Sequence, residues 1–250
     1  MKRKIQFRSS KAVSFFDKRI KKAYQLFDYQ SVQNPTIFHG VHSKNDVEVI
    51  LKHKGPKIVY WSGRDVRSRP AIRRLRNCRH IAQSDFILRY LKMEGINDIQ
   101  QFVILTTDID LWKPKPLGDE IYWYKARGRF YGSDVFRQIR DRVDIKFITP
   151  KTADDYSQEE MLKIYQQCFC GVRPVRHDGC SKTVLEMGLM GRKVIWNGST
   201  PNAVHYKTVD DIFYKIKELQ RGYDYKKVAE QTFRFCKYNE KLWTDLLISF

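Results

Sequence analysis

Short apolar runs alternate along the chain with stretches whose apolar residues recur every three to four positions. TIFHG (36–40) predicts a buried strand and NDVEVILKHK a helix after it. KIVYWSG (57–63) predicts the next strand, and PAIRRLRN a helix with Pro70 in its first turn. HIAQS (80–84) is strand-like, DFILRYLKMEG is helical and stops at Gly95, and QFVIL (101–105) predicts a further strand. TTDIDLWKPKPLGDE has two prolines, a glycine and no periodicity, which predicts an interdomain linker.

Beyond it the alternation resumes. EIYWY (120–124) and DIKFI (144–148) predict strands, and SQEEMLKIYQQ a helix opened by a Ser157/Glu160 capping box. CFCGVR is a strand, SKTVLEMGLM a helix and RKVIWNG a strand. VDDIFYKIKELQRG and the segment from Tyr225 to the end are helical. Strand–helix alternation on this scale implies α/β architecture, with parallel sheets covered by helices. The expected organisation is two Rossmann-like domains, residues 1–110 and 111–250, with their sheets facing across a cleft. The last helix is a candidate to pack back on the first domain.

Composition narrows the class. Of 250 residues, 42% are hydrophobic and 30% charged, an ordinary globular balance. No apolar run approaches the roughly 20 residues that span a bilayer. The basic start, MKRKIQFRSSKAVSFF, lacks the apolar core of a signal peptide, so a cytoplasmic setting is expected, with peripheral membrane contact as a variant. The five cysteines form no CxxC pair, which argues against a disulfide framework or zinc site. Cys168 and Cys170 read as core residues of one strand.

The net charge of +19 is the outlier, and it favours an anionic partner. Residues 1–110 hold 22 Lys+Arg against 10 Asp+Glu, so they carry +12 of the total. GRDVRSRPAIRRLRNCRH is the densest part.

The most informative chemistry lies in VRPVRHDGCSKTVLEMGLMGRKVIWNG (172–198). A loop leaves the carboxyl end of a strand, turns at Gly179 and enters a helix whose second turn carries Glu186. Free N–H groups and the positive dipole end of such a helix suit a diphosphate. A carboxylate two turns in can accept hydrogen bonds from a vicinal diol such as a ribose. Read alone, Asp178 and Glu186 fit equally a capping Asp and a solvated helix Glu.

The spacing Asp178-x7-Glu186 resembles the EX7E motif of GT-B glycosyltransferases of family 4, and HDGCSKTVLEMGLMGRKVI aligns with their characteristic block without a gap. YWSGRDV, IAQSDFILRYLKMEGI, TTDIDLWKP and SQEEMLKIYQQCFCGVRP resemble further family segments more weakly, so the likeness covers roughly residues 57–220. Two departures stand out. The first acid is Asp178 rather than Glu, and QFRSSKA replaces the glycine-rich loop usual after the first strand.

The resemblance implies transfer from a nucleotide sugar, such as a UDP- or GDP-sugar, as co-substrate. It implies retention of configuration, with no resident cofactor and no metal. By position, Glu186 would bind the ribose and Asp178 the sugar hydroxyls. His177 would touch the donor sugar, and the backbone of Gly179, Cys180 and Ser181 would meet the donor. Lys125 and Arg129, with Arg127 a competitor, would hold the diphosphate. On the acceptor side, His39 ends a strand and is a candidate to orient or deprotonate a hydroxyl. Arg64, Asp65, Arg67, Arg69 and Arg73 are candidate acceptor contacts.

Three functions stay open. One is glycosylation of nucleic acid, best represented by a modified base in DNA and favoured by the arginines. The second is synthesis of surface or envelope glycan at an anionic membrane. The third is nucleic-acid binding without catalysis. Exposed aromatics beside the arginines would favour the first. An amphipathic basic helix near the N-terminus, which AVSFFDKRIKKAYQLF partly matches, would favour the second.

Overall fold

A computed structural model describes residues 4–124, 131–150, 156–175 and 179–249. The chain divides into two compact units. The first comprises Met1–Thr106, Asp178–Cys180 and Lys237–Phe250, and the second Thr107–His177 and Ser181–Cys236.

The first unit runs β1 (Gln6–Ser9), α1 (Asp17–Tyr24), β2 (Phe27–Asp28), β3 (Thr36–His39), α2 (Lys44–Lys52) and β4 (Lys57–Trp61). It continues with α3 (Arg69–Arg74), β5 (Arg79–Ala82), α4 (Asp85–Met93) and β6 (Ile99–Gln101). Every ladder is parallel, in the order β2-β1-β3-β4-β5-β6. Central strands covered on both faces read as continuous apolar runs, and the pleat sends neighbouring residues to opposite sides. Phe38, Val59, Trp61 and Ala82 pack with Val47, Ile50, Ile72, Ile87 and Leu91. Ile37, Ile58, Tyr60 and Ile81 pack on the other face with Phe7, Ile20, Trp243 and Leu246.

Helix starts are written locally. Ser43 and Asp46 form a capping box on α2, Ser84 caps α4, and Pro70 occupies the first turn of α3. Gly95, at φ +82°, follows the end of α4, where a side chain would be strained.

The second unit runs β7 (Glu120–Trp123), α5 (Ser133–Arg140), β8 (Phe147–Ile148), α6 (Gln158–Gln166), β9 (Cys168–Val172) and α7 (Lys182–Leu189). β10 (Lys193–Ile195), β11 (Ala203–Val204), α8 (Val209–Gln220) and the start of α9 (Tyr225–Ser249) follow, and from Lys237 onward α9 belongs to the first unit. The sheet is again wholly parallel, in the order β11-β10-β9-β7-β8. Counted from its own first strand this is the order 2-1-3-4-5, which the first five strands of the other unit share. Both sheets are of the α/β parallel class that the alternation predicts. No described helix is long and apolar enough to cross a membrane.

Some boundaries differ from expectation. The ladder uses Ile99–Gln101 rather than QFVIL; Phe102 N–H still bonds Ala82 O of β5, and 103–105 continue as buried chain outside the ladder. Within 144–148 only Phe147–Ile148 pair. Strand β1 precedes TIFHG within QFRSSKA, where no strand is expected, and α1 lies inside AVSFFDKRIKKAYQLF, the stretch that partly matches an amphipathic helix.

Arg192 anchors the second unit. It is fully buried, and its guanidinium donates to the carbonyls of Tyr165, Cys168, Lys115, Met190, Pro116 and Gln166. One planar cation thereby joins the 115–116 segment, the α6–β9 turn and the end of α7.

Buried His80 performs a comparable local task in the first unit. Trp61 Nε1–H donates to its Nδ1 at 2.9 Å, and its Nε2 lies 3.1 Å from Leu75 O, so the proton sits on Nε2. Burial pulls its pKa down to about 4, against the weaker opposing pull of the Leu75 carbonyl. The unfolded chain therefore takes up a proton that the fold refuses. Stability is complete above pH ~6.5 and falls as the pH drops toward about 4, by about 3 kcal/mol for this group. Urea unfolding across that window should show the decline, and His80→Gln should flatten part of it. An unchanged profile in the variant would remove His80 as the cause.

Candidate active site

Ligands of open parallel sheets bind at the carboxyl ends of the strands, where the strand order reverses. That point lies between β7 and β9 in the second unit, and between β1 and β3 in the first.

In the second unit, Tyr124 follows β7 and Arg173 follows β9. Arg173 is 8% exposed, and its guanidinium carbon lies 4.2 Å from the centroid of the Tyr124 ring. Two residues earlier, buried Tyr122 meets Tyr165 of α6 edge to face, with centroids 5.1 Å apart.

Glu186 of α7 completes the cluster. It is 3% exposed, which removes the reading of a solvated helix glutamate. Thr107 Oγ1 donates to its Oε1 at 3.1 Å, Lys182 Nζ pairs with the same oxygen at 3.1 Å, and Tyr165 OH donates to Oε2 at 3.4 Å. Burial holds the Tyr165 phenol protonated, well above its usual range, so it remains a donor. Tyr122 ties the charges together. Burial chiefly, then Tyr124, raises its pKa, while Arg173 lowers it and Glu186 raises it further. Its phenol thus lies within electrostatic reach of both the buried cation and the buried carboxylate.

Helix α7 is held from behind. Val184, Leu185, Met187 and Met190 are buried, and a Cβ on Gly171 of β9 would come within 2.7 Å of Met187 Sδ. Its N-cap is Ser181, whose side chain makes no capping bond, whereas α2, α4, α6 and α8 are each capped by a Ser or Thr hydroxyl.

Of the donor-side residues expected from sequence, Glu186 and Ser181 are placed as above. Gly179 and Cys180 pack in the first unit. A Cβ on Gly179 would stand 2.2 Å from Ser62 O and 2.4 Å from Gln83 Oε1, and Gln83 Nε2 donates to Cys180 O at 3.3 Å. Contact with the β4–β5 side therefore already demands glycine there, independently of any ligand. Asp178, His177, Lys125, Arg127 and Arg129 lie outside the described residues.

In the first unit, Ser9 and His39 are register partners at the ends of β1 and β3, and Ser9 Oγ lies 3.2 Å from His39 Nδ1. His39 is 3% exposed, and burial, then His42, pulls its pKa down to about 3. The imidazole is neutral at physiological pH and a weak base, so its chemistry here is hydrogen bonding and orientation.

The acceptor residues expected from sequence divide. Arg64 and Arg67 are exposed. Asp65 is buried and accepts from the backbone N–H groups of Ser62, Gly63 and Val66, so its carboxylate holds its own turn. Arg69 and Arg73 both pair with Glu94, and Arg74 with Glu48. Local carboxylates thus engage at least three of the seven arginines between 64 and 79.

The sequence reading passed over Arg173, Thr107, Tyr165, Lys182 and Ser9. Two of them left a readable mark: Lys182 stands at i,i+4 to Glu186, and Arg173 directly follows an apolar strand.

No protein-family model and no curated protein sequence matches the chain. Solved structures do. Anabaena HepE in complex with UDP and glucose superposes with a TM-score of 0.60 at 10% identity, covering 92% of this chain and 80% of HepE. A point mutant of S. aureus TarM, in complex with Fondaparinux, alpha-GlcNAc-glycerol and UDP, gives 0.60 at 13% identity, covering 93% of this chain and 58% of that one. Sucrose-phosphate synthase from Thermosynechococcus elongatus gives 0.65 at 10% identity, covering 86% of this chain and 74% of that one. At these identities the likeness is one of fold: the chain has the two-sheet parallel α/β fold of these GT-B glycosyltransferases.

Proposed function

We propose that the protein is a glycosyltransferase that takes its sugar from a nucleotide-sugar donor bound by the second unit. One observation carries this reading. At the strand-order reversal of that unit, a buried carboxylate on α7 is within reach of the Tyr165 hydroxyl, whose ring packs on Tyr122 of β7, and a buried guanidinium just after β9 lies 4.2 Å from the Tyr124 ring. A nucleotide sugar needs such a pair, an acceptor for vicinal ribose hydroxyls and a cation for the leaving diphosphate.

Glu186 takes the ribose. Arg173, the uncapped start of α7, and Lys125 or Arg129 take the diphosphate, and Asp178 takes the sugar hydroxyls. Fixed cations at the diphosphate supply the stabilisation that a divalent ion supplies elsewhere. The family resemblance supports retention of configuration. A uridine nucleotide is the first donor to try, because HepE and TarM were crystallised with UDP.

For the acceptor, two observations shift the weight from nucleic acid toward glycan built at a membrane. Arg69, Arg73 and Arg74 are paired with glutamates. Among the described residues no strongly exposed aromatic lies within 64–79, whereas Phe15 is 66% exposed in the basic N-terminal segment.

Hydrolysis and transfer across a panel of UDP- and GDP-sugars tests the reading, with lipid-linked glycan and modified DNA as parallel acceptors. Arg173→Gln is expected to raise the donor KM roughly tenfold to a hundredfold with the fold intact, the range for one charge-assisted contact. If no donor is bound or cleaved, the enzyme reading fails. If the Arg173 variant keeps wild-type kinetics, its assignment fails.

A further inference from the structure

We propose that the segment from Lys11 to Tyr24 is a docking surface for an anionic lipid bilayer. The inference deepens the glycan reading above, but it rests on a surface of the first unit alone. Residues 4–24 contain seven Lys and Arg and one Asp. A short 3-10 helix, Lys11–Phe16, leads into α1. Ile20 is fully buried and Leu26 nearly so, which fixes the segment to the sheet. Phe16 turns inward, with its ring 6.4 Å from that of His39.

Phe15 does the opposite. Its ring is 66% exposed, with Lys11, Lys18, Arg19 and Lys22 exposed around it in sequence. None of these four cations enters a described ion pair, whereas Lys21 is paired with Asp28. An exposed apolar ring, flanked along the chain by exposed cations that enter no described ion pair, matches the boundary of a charged bilayer. The ring enters the acyl edge, and the ammonium groups stay among headgroup phosphates. Three of the four cations are lysines, whose point charges suit a diffuse anionic surface better than the planar recognition arginine provides. The segment leaves the carboxyl end of β1, where Ser9 meets His39. Docking therefore brings the lipid surface to the crevice of the first unit, where a lipid-linked acceptor would be handled.

Sedimentation of the full chain with phosphatidylcholine vesicles, with and without phosphatidylglycerol, tests the surface without any donor. Binding of short duplex DNA at the same ionic strength runs in parallel. The expected result is pelleting with the anionic vesicles only, weakened by salt. Phe15→Ser should weaken it roughly tenfold. Reversing Lys18, Arg19 and Lys22 to Glu should weaken it by about fivefold or more per residue. The exposed Phe15 variant is expected to fold, so it decides the question even if the triple variant does not. Absence of pelleting, or pelleting indifferent to Phe15→Ser, overturns the proposal. So does loss of DNA binding in these variants with vesicle binding unchanged. Vesicle binding without any donor turnover would uphold this surface while sinking the transferase reading.

Discussion

Arg192→Met is expected to be the most damaging single substitution in the second unit, lowering stability by roughly 3–5 kcal/mol. Methionine fills much of the same space, so the loss does not come from a cavity. It comes from carbonyls in the 115–116 segment, the α6–β9 turn and the end of α7, which share one donor group and lose it together. Lysine should rescue little, because a single ammonium cannot span the fan of acceptors that a planar fork reaches. Urea unfolding followed by fluorescence measures both variants. A loss of about 1 kcal/mol or less for Arg192→Met would mean that those carbonyls find other donors.

Glu186→Gln is expected to reduce kcat/KM for the nucleotide sugar about a hundredfold, mainly through KM. The variant keeps the shape of the side chain and removes the charge that strengthens hydrogen bonds to a diol. It also leaves the Lys182 ammonium without its carboxylate partner. Thr107→Val and Tyr165→Phe each remove one hydroxyl from the same carboxylate, and should cost far less. Calorimetric titration with UDP separates donor binding from turnover. Unchanged UDP affinity in Glu186→Gln would detach this carboxylate from the ribose, however well the protein still folds.

Much of the architecture was legible because the strands are buried on both faces and the helices on one. TIFHG and KIVYWSG are uninterrupted apolar runs, and in the structure they are the central strands β3 and β4. The capping box at Ser157 and Glu160 set the start of α6 correctly. β1 escaped notice because Gln6 and Arg8 alternate with Phe7, so the strand reads as a polar, basic leader. QFVIL misled for the opposite reason. Val103 N–H bonds Asn239 Oδ1 and Ile104 N–H bonds the Tyr60 hydroxyl, so from Val103 on distant side chains take the place of a neighbouring strand. No local pattern encodes that.

The candidate site was half readable. Glu186 stood out by its spacing to Asp178, and a helix carries it at the position expected. Arg173 did not stand out, because a lone arginine after a strand is unremarkable until the strand order places it at the reversal point. The arginine cluster was overread for a related reason. Composition records seven arginines between 64 and 79, but it does not show Glu94 and Glu48 pairing with three of them.

The shared 2-1-3-4-5 order has a chemical corollary. The same topological niche is furnished twice in one polypeptide, with opposite electrical character. One niche has an uncharged imidazole and a serine hydroxyl, and the other a guanidinium lying on a phenol ring. On the proposed reading, a departing nucleotide, rich in negative charge, would find its counter-ion in the second of them. The residue at or just after the third strand of each sheet, His39 in one and Arg173 in the other, would on that reading divide the receiving of a sugar from its giving.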